Sequence, residues 1–177
     1  MLFFCKKYKA EICDIILSKK IIIDENETAG ELFDRLSVLG ADAIIDAIKL
    51  FEEGTVNKTT QNHDQATHTR MLNKEFGRID FNQSSQKIHD LVRGLNPWPI
   101  AFTNIGGEII KIYKTLPIDT TGKVGEILSA DPKNGLIIAC ATGAIKVLEL
   151  QRQGGKRLSA EDFLRGYKIE VGSVIDD

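Results

Sequence analysis

The chain has 177 residues, of which 42% are hydrophobic and 27% charged, a composition that suits a globular protein with one ordinary domain or a small domain and an attached fragment. A formal charge of −2 excludes a uniformly basic polyanion binder, so any affinity for nucleic acid has to come from local clusters of cations. Cys5, Cys13 and Cys140 are too few and too scattered for a disulfide framework or a common zinc spacing, and predict a reducing, cytoplasmic setting.

Met1 to Cys5 is apolar, but Lys6, Lys7 and Lys9 interrupt it before the length of a membrane span or a secretory segment, so no membrane contact is predicted. Ile15-Ile16-Leu17 and Ile21-Ile22-Ile23 predict β structure, followed by a polar turn at Asp24-Glu25-Asn26-Glu27. Thr28 and Glu31 have the spacing of a capping box, which predicts a helix over 28–53. Leu32, Phe33, Leu36, Leu39, Ala43, Ile44, Ala47, Ile48 and Phe51 fall on one face of it, Gly40 kinks or splits it, and Gly54 ends it in a left-handed turn. A stripe this broad needs a partner surface, so exposed apolar area around Phe33, Leu36 and Ile44, and self-association through helix 28–53, are expected.

Residues 55–73 are predicted to be a linker, because 55–70 is rich in Thr, Asn and Gln and has no apolar periodicity. His63 and His68 lie there without a supporting Cys or carboxylate constellation and read as loop histidines, with no metal site. A short helix is expected after Asn82, capped by Asn82 or Ser84, with Ile88, Leu91, Val92 and Leu95 on its buried face. Arg93 reads as structural, pairing with Asp90 or holding the corner that follows.

That corner, Arg93-Gly94-Leu95-Asn96-Pro97-Trp98-Pro99, puts the only tryptophan between two of the four prolines where the chain changes from α to β. Locally, Trp98 reads as packing beneath a small barrel. Strands are predicted at 101–105 and 108–116 around a Gly106-Gly107 turn, then at 124–130, 136–141 and 144–150. Five short strands in about fifty residues suggest a closed barrel across 97–150. Ser159 with Glu161 and Asp162 opens a last helix, which Gly166 closes.

Three blocks in register, Lys74-Glu75-Phe76-Gly77-Arg78-Ile79-Asp80-Phe81, the Pro-Trp-Pro corner, and residues 150–166 with Gln151-Arg152-Gln153-Gly154-Gly155-Lys156-Arg157, resemble the C-terminal, tRNA-binding part of methionyl-tRNA formyltransferases. The resemblance covers about residues 15–175. It implies an α+β chain, in which 1–54 is a strand and helix remnant of a Rossmann-like catalytic domain (1–13 unmatched), 55–73 a linker, and 74–177 an OB-like β-barrel domain with flanking helices. In the family, a formyl group passes from 10-formyltetrahydrofolate to the amino group of initiator methionyl-tRNA.

The family's catalytic Asn-x-His, Asp and Ser-Leu-Leu-Pro motifs are not in this sequence. Asn62 and His63 are adjacent and in the wrong region, and Lys7 stands at the aspartate's position. No catalytic residue, no folate site and no turnover are therefore expected, and tRNA binding is the function left. Its candidate residues are Lys74, Arg78, Lys111, Lys114, Arg152, Lys156 and Arg157. For a single lysine a solvated charge is the simpler account. For 152–157, three cations in six residues with no local acid, binding and solvation both stand. Phe81, Phe102 and Tyr113 read as core or barrel-face aromatics. The alternatives are a non-catalytic RNA-binding module acting in trans and an inert gene remnant; sugar-nucleotide formyltransferases are relatives from the same catalytic fold.

Overall fold

A computed structural model describes residues 2–3, 14–67 and 69–175 and divides the chain into two compact units, Met1–Met71 and Leu72–Asp177. Most of the unmatched start, including the Lys7 position, and His68 lie outside the described residues.

In the first unit, β1 (Leu2–Phe3) pairs antiparallel with β2 (Ile15–Leu17). Thr59 exchanges both backbone hydrogen bonds with Ile15, at 2.8 and 2.9 Å, so the polar stretch after the helix returns to β2. The strand expected at Ile21–Ile23 is absent: no strand among the described residues supplies partners, and Ile22 stays 86% exposed. Three β-branched residues carry the propensity for a strand, but propensity without a ladder does not make one.

The helix α1 (Ala29–Glu52) begins where its cap predicts. The Glu31 amide donates to Thr28 Oγ1 at 3.3 Å and the Thr28 amide donates to Glu31 Oε2 at 2.8 Å, satisfying two first-turn donors reciprocally. Gly40 does not split α1, which runs unbroken from Ala29 to Glu52. Gly54, at φ 68°, ends it, and the Thr55 amide reaches back to the Leu50 carbonyl at 3.0 Å. Ala43 and Ala47 are buried, whereas Phe33 is 69% exposed and Leu36, Ile44 and Ile48 are exposed by about half.

The second unit is a mixed α and antiparallel β structure. A 3₁₀ turn at Lys74–Gly77 leads to α2 (Ser85–Gly94), capped by Ser84, whose hydroxyl accepts from the Lys87 amide at 3.3 Å. Before it, the Asp80 carboxylate takes donors from the Asn82 backbone and from the Asn82 and Gln83 side chains, and these bonds, Gln83's first among them, hold it below the ordinary carboxylate range. The strands β3 (Ala101–Ile105), β4 (Glu108–Ile118), β5 (Ile127–Asp131), β6 (Gly135–Ala139) and β7 (Ala144–Arg152) form one antiparallel sheet in the order β3-β4-β7-β6-β5. The two-residue β8 (Leu158–Ser159) pairs with the far end of β7 and runs directly into α3 (Ala160–Gly166). Gly106 and Gly107 turn β3 into β4 at φ 60° and 83°, a pair of left-handed positions that suits two glycines.

The core is one cluster. Ile110 and Ile112 of β4, Leu136 and Ile138 of β6, and Ile145, Val147 and Leu150 of β7 meet Ile88 and Val92 of α2 and Phe163 and Leu164 of α3. The expected closed barrel is not what forms. β3 and β5 are not hydrogen-bonded to each other, and the sheet is open. Each edge finds other backbone partners instead: the Ile79 amide donates to the Phe102 carbonyl at 2.9 Å on β3, while Ile127 of β5 bonds Ser173 and Gly172 at 2.9 and 2.8 Å. With those groups satisfied by coil, nothing drives the two edges together. A cavity of about 480 Å³ lies between the Asn104–Gly107 turn, Ile127 and the segment 167–175.

Candidate nucleic-acid interface

Buried residues on β4 fall at Ile110, Ile112 and Thr115, one step out of strict alternation. The cause is a pair of compensating irregularities in the β4–β7 ladder: Ile112 faces Leu150, Lys114 faces Glu149, and Thr115 faces Val147, so Tyr113 of β4 and Leu148 of β7 are each left unpaired and the register resumes unchanged. Tyr113 is half-buried and Lys114 exposed. β3 starts at Ala101, opposite Ile112. Past that point the Tyr113 carbonyl takes its donor from Asn96 Nδ2 at 2.9 Å, which joins the proline corner to this part of the strand.

One cross-strand row runs Arg78, Phe102, Lys111, Gln151, each residue directly opposite the next. Opposed residues share a face, so Arg78 and Lys111 stand on the same side of the sheet, away from the core, with the half-buried Phe102 between them. Gln151 then ties in the loop after β7. Its Oε1 accepts from Tyr113 Oη at 2.6 Å, and its Nε2 donates to the Gly155 carbonyl at 2.8 Å. Arg157 closes the arrangement. Its guanidinium lies 4.5 Å from the Tyr113 ring centroid, and its Nε donates to Glu149 Oε2 at 2.6 Å.

Of the seven cations singled out by sequence, Arg78, Lys111, Lys114 and Arg157 are brought together around Tyr113 and Phe102. Lys156 is exposed in the loop held by Gln151, and Lys74 is exposed on the 3₁₀ turn that precedes Arg78. Arg152 stands apart at the end of β7, opposite Ile110, where it pairs with Glu108 at 3.8 Å and lies 5.9 Å from the Tyr167 ring centroid. The view of 152–157 as cations without an acid needs correcting: Glu108, far back on β4, and Glu149, just before the segment on β7, reach two of the three. Lys74, Arg78, Lys111, Lys114 and Lys156 have no ion-pair partner among the described residues.

Arg93 pairs with Asp90, its Nε donating to Oδ1 at 2.7 Å, and so fills the structural role its position suggests. Phe81 is in the core. Trp98 is not: it is 58% exposed. The packing role expected of it is taken by Ile100, buried at φ 72°, whose amide donates to the Leu95 carbonyl at 3.0 Å. Both X–Pro bonds of the corner are cis. The role of Gln151 is missed by sequence, and Tyr113, read there as a core or barrel-face aromatic, gains its place under the loop only through the fold.

Residues 71–168, just over half of the chain, match the family described as "Formyl transferase, C-terminal domain", and the chain belongs to that family. The resemblance to methionyl-tRNA formyltransferases holds as well. It is 38% identical over 171 residues to the methionyl-tRNA formyltransferase of Lachnospira eligens, covering 93% of this chain and 54% of that protein. To that of Carboxydothermus hydrogenoformans it is 42% identical over 164 residues, covering 92% and 53%. The chain thus spans about half the length of the curated relatives it matches. Among solved structures, HypX from Aquifex aeolicus superposes with a TM-score of 0.64 at 18% identity over 94% of this chain and 31% of its own. WlaRD, a sugar 3N-formyl transferase, does so with 0.59 at 19% over 82% and 51%. Both share the fold.

Proposed function

We propose that the unit from Leu72 onward is a tRNA-binding module, acting on initiator methionyl-tRNA, and that its contact face is the outer side of β3, β4 and β7. Lys74, Arg78, Lys111, Lys114, Lys156 and Arg157 carry the phosphate contacts there, and Arg152 adds one from the end of β7, outside that face. The observation that carries the reading is the row Arg78–Phe102–Lys111–Gln151, which sets cations on one face of the sheet beside half-buried aromatics, with five of the seven candidate cations in no ion pair among the described residues. A ribose-phosphate backbone supplies the missing charge, and aromatic side chains accept unstacked bases. The architecture is read as a variant of the OB-like barrel whose edges are covered by coil. Names of relatives that act on methionyl-tRNA support the same reading.

By this reading the chain supplies binding and no chemistry. The formyl donor 10-formyltetrahydrofolate belongs to the full-length relatives, and no residue of this sequence is assigned to it. The exposed side of α1 adds self-association through Phe33, Leu36, Ile44 and Ile48, and the setting is cytoplasmic. No helix among the described residues is long and apolar enough to cross a membrane.

Titration with a tRNA transcript tests the proposal. Binding is expected to weaken steeply with salt, and Lys111→Glu and Lys156→Glu each lower the slope of log K against log salt by about one unit. Salt-independent binding refutes phosphate contact. An assay with methionyl-tRNA and a formylfolate is expected to stay at background.

A further inference from the structure

Trp98 is a large aromatic that the fold leaves 58% exposed at the border of the cationic face. Its ring makes no aromatic contact and its indole no hydrogen bond among the described residues. Pro97 and Pro99 on either side have no amide to donate, so the tip of the corner presents apolar surface and a carbonyl-rich backbone. Its two flanks are nevertheless held. Asn96 Nδ2 donates to the Tyr113 carbonyl, the Ile100 amide donates to the Leu95 carbonyl, and Ile100 is buried in a left-handed conformation that a β-branched residue adopts only where its surroundings impose it. An exposed indole is thus carried on an anchored backbone, not on a loose loop.

Its position follows from the ladder. Ala101 lies opposite Ile112 and Asn96 Nδ2 bonds the Tyr113 carbonyl, so the corner between them is held against β4 at Ile112 and Tyr113, the residues just before Lys114. Lys114, next in sequence to Tyr113, is exposed and in no ion pair among the described residues, its cross-strand neighbour Glu149 being bonded to Arg157. A large π surface held next to unpaired cations matches the two parts of an unstacked nucleotide, whose base stacks while its phosphate meets the ammonium group. A fully paired helix offers only the second part.

We infer that Trp98 is a stacking platform for one unpaired base of the bound RNA, with Lys114 meeting the adjoining phosphate. The inference rests on the RNA-binding reading of this face and adds to it a preference for RNA with an unpaired base.

Trp98 is the sole tryptophan, so its emission reports this site alone. The full chain is titrated with a tRNA transcript and with a blunt, fully paired RNA duplex of equal phosphate content. The transcript is expected to quench Trp98 and the duplex to bind without quenching. With labelled transcript, Trp98→Ala lowers affinity about tenfold and leaves the salt slope unchanged, because a stack is lost and no phosphate contact. Trp98→Phe, which keeps a ring, stays within about threefold of the parent. Circular dichroism checks that both variants fold; should the alanine variant not fold, the quenching contrast and the phenylalanine variant decide. Equal quenching by the duplex, or parental affinity in Trp98→Ala, overturns the stacking role while loss of affinity in Lys111→Glu leaves the RNA-binding face intact. Failure of the parent chain to bind the transcript at low salt overturns both.

Discussion

The Arg157 guanidinium lies over the Tyr113 ring at 4.5 Å while the Tyr113 hydroxyl donates to Gln151 at 2.6 Å, so a single side chain holds the basic loop from two sides. Gln151 passes that hold to the loop backbone at Gly155. The loop is therefore pre-shaped before any ligand arrives, which reduces the ordering that binding would otherwise have to supply.

Tyr113→Phe keeps the ring under Arg157 and removes one hydrogen bond. Stability is expected to fall by about 1 kcal/mol in urea titration. Amide exchange over 153–157 is expected to quicken while the β4 core amides keep their protection. Unchanged loop exchange would show that Gln151 holds the loop unaided.

Glu149 opposes the proposed function of its partner, because its carboxylate neutralises Arg157 on the contact face. Both side chains are more than a third exposed or close to it, so the pair stabilises the fold by less than about 1 kcal/mol. Glu149→Gln is expected to leave the melting temperature nearly unchanged and to raise tRNA affinity severalfold at low salt, the gain shrinking as salt rises. Weaker binding in this variant would mean that Arg157 needs the glutamate to be aimed correctly.

Gly77 is required by close approach. A Cβ there would lie 2.3 Å from the Ile100 carbonyl oxygen and 3.2 Å from Phe102 Cδ1. Backbone on one side and a half-buried ring on the other leave little room to yield. Gly77→Ala is expected to destabilise the second unit by about 3 kcal/mol, read from its denaturation midpoint.

Cys140 is buried, and burial pushes its thiol up to about 11, partly opposed by a backbone hydrogen bond at Ile145. The unfolded chain ionises this thiol near its ordinary value of 9.0, so between that value and about 11 it binds fewer protons than the folded chain. Stability accordingly falls as pH rises through this window. Cys140→Ala is expected to flatten that part of the stability curve, measured as the difference from the parent at each pH. Identical alkaline slopes would contradict it.

The exposed stripe on α1 can be tested directly. Ile44 and Ile48 lie four residues apart and so stand on the same side of the helix. Ile44→Glu is expected to lower the scattering mass of concentrated solutions toward that of a monomer with α1 helicity retained. A parent chain that already scatters as a monomer would dismiss self-association.

What the sequence determined unaided are the features written in adjacent residues: the Thr28–Glu31 and Ser159 caps, the Gly106-Gly107 turn, the alternation that makes β3 to β7, and three blocks whose order identifies the family. Caps, turns and periodicity are local, so they survive being read without the fold. The isolated Ile21–Ile23 run misleads because a strand exists only through its neighbour. Tertiary structure alone decided the rest. It left the sheet open by giving each edge a coil partner, brought Glu108 to Arg152 and Glu149 to Arg157, and set Tyr113 beneath the basic loop through paired irregularities in the β4–β7 ladder. It also turned Trp98 out into solvent and buried Ile100, two residues on. These are outcomes of pairing between distant segments, and such pairings are energetic choices that no short window of residues contains.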